Sequence, residues 1–200
     1  MILATTILET GRGTFPVSLH EDGSGARCLS IRQGDLGLPE TAVRLHSACL
    51  FGESLGALDC DCSAQLDAAM RVIQERGRGA VIYLFQEGRG AGLLSKIHGM
   101  ETQRVEGVNS FAAYESMGLP RDLRDYSLAK TALTDIGVGA TISVMSNHPA
   151  KRAALEEMGY SVVARLPLSY QVSSLAYPEL RMKRDEGGYE VDFGDITFSG

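Results

Sequence analysis

Short apolar stretches divided by glycine-rich polar turns occupy the first third of the chain. Residues 5–8, 15–19, 26–31 and 42–46 are rich in β-branched, aliphatic and aromatic side chains, with the turns EDGSG and RQGDLG between them. This predicts strands in a largely antiparallel section. After Cys62 the spacing changes, because Leu66, Ala69, Met70 and Ile73 recur every three or four residues. One face of a helix is thereby apolar, with Ser63 as the predicted N-cap and Gly77 as the predicted terminator.

Residues 80–85 are continuously apolar and predict a buried strand, after which glycines at 88, 90 and 92 lead into a helix near 93–98. The stretch 101–125 reads as irregular and polar, with a turn at Pro120 and a charged run over 121–125. Helices are predicted at 127–136 and 150–158, stopped by Gly137 and Gly159, with strands at 140–145 and 160–165. Such alternation predicts an α/β layer in the second half. The expected fold class is α/β, a mixed sheet with antiparallel N-terminal strands and flanking helices, in a single domain over residues 1–174. From Leu175 the apolar spacing weakens and charge density rises, so 175–200 is expected as a C-terminal extension, mobile or packed on a partner.

Composition adds bounds. The 200 residues are 44% hydrophobic and 22% charged, ordinary for a soluble globular chain. A formal charge of -6, with no long basic run, argues against a nucleic-acid surface. The N-terminus lacks a basic region followed by a continuous apolar one, and no run approaches the roughly 18 apolar residues of a membrane span. Four cysteines in a chain of this size suit retained thiols in a reducing compartment, so a cytoplasmic protein with no membrane partner is expected.

Cys60 and Cys62 present two sulfurs from one tight turn, and Cys49 lies eleven residues before Cys60. Zinc favours tetrahedral thiolate and imidazole ligands, and three protein ligands leave one position open, which is the form of a catalytic site. Cys28 or His46 would instead complete a closed structural site. Cys28 sits in an apolar run, where a buried thiol is the plainer reading. The segment QEGRGAG at 86–92 follows a predicted strand and precedes a helix, a place where backbone can approach an anion. Arg121, Asp122, Arg124 and Asp125 flank the proline turn, where arginine can meet phosphate and a carboxylate can move a proton. Ser146, Asn147, His148 and Lys151 fall between a strand and a helix. Together these segments suggest a polar, polyanionic substrate.

In chain order the motifs are VRLHS with Cys49, DCDC at 59–62 with Gln65 and Leu66, GRG at 77–79, and QEGR at 86–89 with Gly92, Leu93 and Leu94. Arg124, Asp125, Tyr126, Asn147, Pro149, Lys151, Val162, Val163, Pro167 and Leu168 continue the set. Over roughly residues 40 to 170 the sequence resembles GTP cyclohydrolase II of riboflavin biosynthesis. The resemblance implies that Cys49, Cys60 and Cys62 hold one zinc ion per subunit. It also implies that Arg44, Leu45, His46, Ser47 and Ala48, with Gln65, Glu87, Gly88, Arg89, Ser110, Ser146 and Lys151, bind the nucleotide. Asp122 matches the acid/base, and Arg124 matches the residue proposed to attack the α-phosphorus, with clamping of the phosphate as its simpler role. Magnesium would accompany the triphosphate, and the family is homodimeric. The implied reaction attacks C8 of GTP, opens the imidazole ring and releases pyrophosphate. It yields a formamidopyrimidine nucleotide or, after deformylation, a diaminopyrimidine nucleotide and formate.

Three departures stand out. Met100 replaces the family's active-site tyrosine and cannot donate a strong hydrogen bond, so hydrolysis is expected to stop after ring opening. Ala112 stands where the family has a carboxylate, and Leu84 and Phe85 replace polar residues expected near the base. The departures leave open two further readings, a paralogue acting on a different nucleotide in secondary metabolism or salvage, and a zinc-stabilised nucleotide-binding protein without turnover.

Overall fold

A computed structural model describes residues 1–199. Nine strands are present among them: β1 (Ile2–Thr10), β2 (Gly13–Glu21), β3 (Arg27–Gln33), β4 (Thr41–Ser47), β5 (Gly79–Leu84), β6 (Thr141–Val144), β7 (Ser161–Arg165), β8 (Tyr170–Ser173) and β9 (Ile196–Ser199). The helices are α1 (Leu50–Ser54), α2 (Cys62–Glu75), α3 (Gly92–Glu106), α4 (Ser110–Ser116), α5 (Ser127–Asp135), α6 (Pro149–Glu157) and α7 (Tyr177–Asp185). Seven strands form one sheet in the order β1-β2-β3-β5-β4-β6-β7. Pairing is antiparallel from β1 through β3 to β5 and parallel from β5 through β4 and β6 to β7. This is the expected mixed sheet with flanking helices.

The central strand β4 is buried at every position but its last, as a parallel strand covered on both faces must be. Its alternation sorts side chains between two cores. Val43 and Leu45 join Ile82, Leu84, Ala129, Leu133 and Leu155 under α5 and α6. Ala42 faces the other way with Phe15, Val81, Met70 and Ile73 under α2. By the two-residue period of a strand, Arg44 and His46 point to the α2 side. Gly79, at φ 154°, opens β5 where a Cβ would lie 2.5 Å from Ile73 Cγ2 and 2.8 Å from the Ala42 carbonyl oxygen.

Two expectations change. The stretch 101–125 is not wholly irregular: α3 continues to Glu106, and α4 follows. Gly107, left-handed at φ 69°, closes α3, and the Asn109 side chain caps α4 by accepting from the Ala112 N–H. Phe111, Ala113 and Tyr114 provide the buried face of α4, in a segment too short and too polar overall for its periodicity to stand out. The N-cap of α2 is Asp61 rather than Ser63, and its side chain makes no capping bond. Residues 175–199 carry α7 and β9. With β8, they build a third core in which Tyr170, Val172, Ala176, Leu180, Val191 and Ile196 pack around Ala68 of α2. No helix among the described residues is long and apolar enough to cross a membrane.

Candidate active site

The three cysteines converge at the start of α1 and α2. Cys49 caps α1, its sulfur accepting from the Gly52 N–H at 3.4 Å while its own N–H donates to Glu53 Oε1 at 3.0 Å. Cys60 and Cys62 arrive from the turn that begins α2, and all three Sγ atoms lie within 4.8 Å of one another. Gly52 leaves the space they need, because a Cβ there would sit 2.7 Å from Cys60 Sγ and 3.3 Å from Cys49 Sγ. The Lys96 ammonium donates to Cys49 Sγ at 3.1 Å. Bonds from the Cys60 and Cys62 thiols hold Cys49 well below the thiol range, and the same bond to Cys49 pushes Cys60 up to about 11 and Cys62 well up. The three sulfurs stand close enough together to ligate one soft divalent cation.

This donor set fits zinc with one position to spare. Among the described residues no fourth histidine or cysteine joins the cluster. Cys28 lies fully buried in the core beneath α5, where burial pushes its thiol up to about 11. His46 is committed elsewhere: Arg44 Nε donates to its Nδ1 at 3.1 Å, so Nε2 carries the proton and meets Glu53 Oε1 at 2.9 Å. Burial pushes His46 down to about 4, keeping it neutral.

The cysteines line a cavity of about 340 Å³ at the carboxyl ends of β4, β5 and β6, where open α/β sheets commonly bind ligands. Arg44, His46 and Ser47 reach it from β4 and Ala48 from just beyond, Gln65 from α2, Glu87, Gly88 and Arg89 from the turn after β5, Ser110 from α4, Ser146 from the turn after β6 and Lys151 from α6. Leu45 does not line it. Its side chain is in the core, and only its carbonyl oxygen bears on the site, accepting from Lys151 Nζ at 2.7 Å. Burial, then the nearby Arg124 and Arg44 charges, pull Lys151 well below the usual amine range. An entering anion would relieve that cationic crowding. Ser47 Oγ and Gln86 Oε1 are buried polar atoms without protein partners, and both residues line the cavity. A polar ligand would satisfy them.

Arg124 lines the cavity, whereas Asp122 stands behind it. Arg124 Nε donates to Asp122 at 2.9 and 3.1 Å, its Nη2 also meets that carboxylate, and His148 Nε2 approaches at 3.2 Å. Burial alone would raise Asp122, but these bonds prevail and hold its carboxyl well below the usual range. Arg124 is correspondingly held protonated, since its bond to Asp122 outweighs the cost of burial.

Several residues of this site carry no motif. Lys96 joins Cys49 to Glu87, which it meets at 2.7 Å. Glu53 gathers His46, Tyr83 and the Cys49 N–H. Arg89 donates to Glu179 at 2.8 Å and to Ser110 at 2.9 Å, and Tyr189 accepts from Arg124 at 2.7 Å while stacking on His148. Glu179 and Tyr189 belong to the charge-rich stretch after 174, where only a helical reading of 177–185 would have signalled a packed face. Met100 lines the cavity from α3. The other departures do not: Leu84 is in the core, Phe85 is exposed and edge-on to Tyr83, and Ala112 lies outside the lining. None of the three side chains therefore lines the cavity in which a base would lie.

A family model described as GTP cyclohydrolase II matches residues 2–167. The protein called GTP cyclohydrolase-2 in Shewanella baltica (strain OS155) is 42% identical over 183 residues, covering 90% of this chain and 88% of its own. Its namesake in Shewanella frigidimarina is 40% identical over 191 residues, covering 94% and 93%. A looser likeness, at a TM-score of 0.47 and 16% identity, links 84% of this chain to 40% of a two-domain 3,4-dihydroxy-2-butanone 4-phosphate synthase from A. baumannii. Over nearly its full length, therefore, the chain belongs to the GTP cyclohydrolase II family.

Proposed function

We propose that the protein hydrolyses the imidazole ring of GTP at C8 in a zinc-dependent reaction that releases pyrophosphate. The observation that carries this reading is that one cavity is lined both by the three cysteines and by Arg44, Arg89, Arg124 and Lys151. Cys49, Cys60 and Cys62 would hold the zinc ion, which when bound would supply Lewis acidity for the attack of water on the ring. The cationic side chains bind the triphosphate, accompanied by magnesium, with Arg89 exchanging its Glu179 partner for phosphate oxygens. Ser47 and Gln86 offer the base their unpartnered oxygens. Arg124 acts as a fixed positive clamp on the phosphate, a role that suits a guanidinium held protonated by Asp122. Asp122 is a carboxylate at neutral pH, which suits orienting Arg124 and receiving a proton rather than supplying one.

Met100 favours a second form of the same reaction, in which the formyl group is retained. Its thioether lies in the cavity lining and cannot pass a proton. Incubation of zinc-loaded protein with GTP, following pyrophosphate, formate and product mass together, tests both. Pyrophosphate with a nucleoside monophosphate product one water heavier than GMP and little formate supports arrest after ring opening, and stoichiometric formate supports full deformylation. Turnover of another nucleoside triphosphate in preference to GTP, or of none, overturns the reading.

A cytoplasmic homodimer belongs to this proposal. Free thiols suit a reducing compartment. The edge strand β1 exposes Ile2, Leu3, Ile7 and Leu8 beside an unpaired backbone, a surface prone to pairing with another chain. Sedimentation at a mass near twice 21.5 kDa is the expected result.

A further inference from the structure

The turn that carries two of the three thiols is held from a distance. Asp61, between Cys60 and Cys62, is 1% exposed and does not use its carboxylate to cap α2. Lys183 Nζ donates to its Oδ1 at 3.0 Å, and its Oδ2 accepts from Tyr170 OH at 2.9 Å and from Gln65 Nε2. A buried carboxylate is costly unless it is paired and its oxygens are satisfied, and these three donors meet that need. Lys183 lies 122 residues further along the chain, on α7. Leu180 and Met182 anchor that helix by burial, and Glu179, one turn earlier, meets Arg89 and Ser110 across the cavity.

We propose that Lys183 is a positioning residue for the metal centre: acting through Asp61, it holds the turn between Cys60 and Cys62 so that all three sulfurs can share one zinc ion. The proposal rests on the reading that the three cysteines bind zinc. Charge gives the arrangement its reason. Three thiolates around a divalent cation leave a net negative charge, and the adjacent Asp61 carboxylate adds another. Lys183 supplies an offsetting cation beside them. Without it, Asp61 is left as a buried unpaired charge, and rotating that carboxylate towards water displaces the cysteine on either side. Groups behind metal ligands commonly set affinity in this way.

The test uses the full-length protein and zinc itself, with affinity read by competition against a chromophoric chelator and ligand geometry by the spectrum of cobalt(II) in place of zinc. Lys183→Met is expected to weaken zinc binding by roughly 10–100-fold and to reduce the cobalt bands of tetrahedral thiolate coordination. Lys183→Arg, which keeps the cation, is expected to restore most of the affinity. In an Asp61→Asn background Lys183→Met should have little further effect, since its partner is gone. Circular dichroism of the zinc-free proteins separates loss of metal geometry from loss of fold, and if Lys183→Met does not fold, Asp61→Asn alone is expected to show the weakened binding. Wild-type affinity in Lys183→Met, or in Asp61→Asn when that variant stands alone, overturns the proposal, as does an undiminished effect of Lys183→Met on the Asp61→Asn background. A wild-type protein that binds no zinc overturns the three-cysteine reading instead.

Discussion

Arg124 grips Asp122 through one edge of its guanidinium, Nε and Nη2 together, and that pair decides which protonation states the site offers. A carboxyl held below its ordinary value of 3.8 is charged at every pH where the enzyme would work. The sign follows: the stabilisation from the pair is complete above the ordinary carboxyl value and is lost only as pH falls through the depressed one. Asp122→Asn is accordingly expected to lower kcat by about 10²–10⁴-fold across pH 6 to 9 without moving the acid limb of the profile. A shifted acid limb would show that another state of Asp122 carries the reaction. Met100→Tyr tests the other distinctive side chain. If the wild type retains the formyl group, restoring a phenol at this point of the cavity is expected to raise the ratio of formate to pyrophosphate, measured in the same samples.

Single elements serve two purposes here, and glycines mark where they meet. The short helix α1 exists to fold the backbone around Cys49, and Gly52 is the only residue type that leaves room for Cys60 Sγ at 2.7 Å from the Cβ position. Gly52→Ala should impose about 1–3 kcal/mol of overpacking, seen as roughly a 10-fold or greater loss of zinc affinity with far-UV circular dichroism unchanged. Gly79→Ala belongs to the core rather than the site. Its positive φ and contacts with Ile73 and Ala42 predict destabilisation by about 1–3 kcal/mol, measured by denaturant unfolding, with zinc stoichiometry retained. The strand β4 joins both roles, since Val43 and Leu45 fill one core while Arg44 and His46 turn to the cavity.

Taken together, the layers explain why the segment after 174 matters. It supplies Lys183 to Asp61, Glu179 to Arg89 and Tyr189 to Arg124, and its apolar side covers Ala68 of α2. A chain ending at residue 174 should therefore unfold at lower temperature and bind zinc more weakly than the full protein, with calorimetry and chelator competition as the measurements. Equal values would show that the first 174 residues carry the site alone.

Local chemistry and periodicity made much of this legible from the chain. The short apolar run at 42–46, the apolar face of α2 and the glycine stops at 137 and 159 each reflect a neighbour-to-neighbour rule, so the mixed α/β fold could be read without coordinates. The cysteine triad was legible for a related reason: Cys60 and Cys62 are close in sequence, and thiolates have few roles in a short turn. Other features depend on groups far apart in the chain. That Leu84, Phe85 and Ala112 stay outside the cavity lining depends on how the elements pack, which apolar spacing does not specify. Lys183 and Asp61, 122 residues apart, meet only because α7 packs back onto α2. In sequence Lys183 is one charge among several between Arg181 and Glu186, and burial beside a carboxylate is what distinguishes it from its neighbours. Residue identity therefore determined the ligands and the fold class, whereas the partners of those ligands were decided by tertiary packing, because a buried charge acquires its meaning from what lies against it.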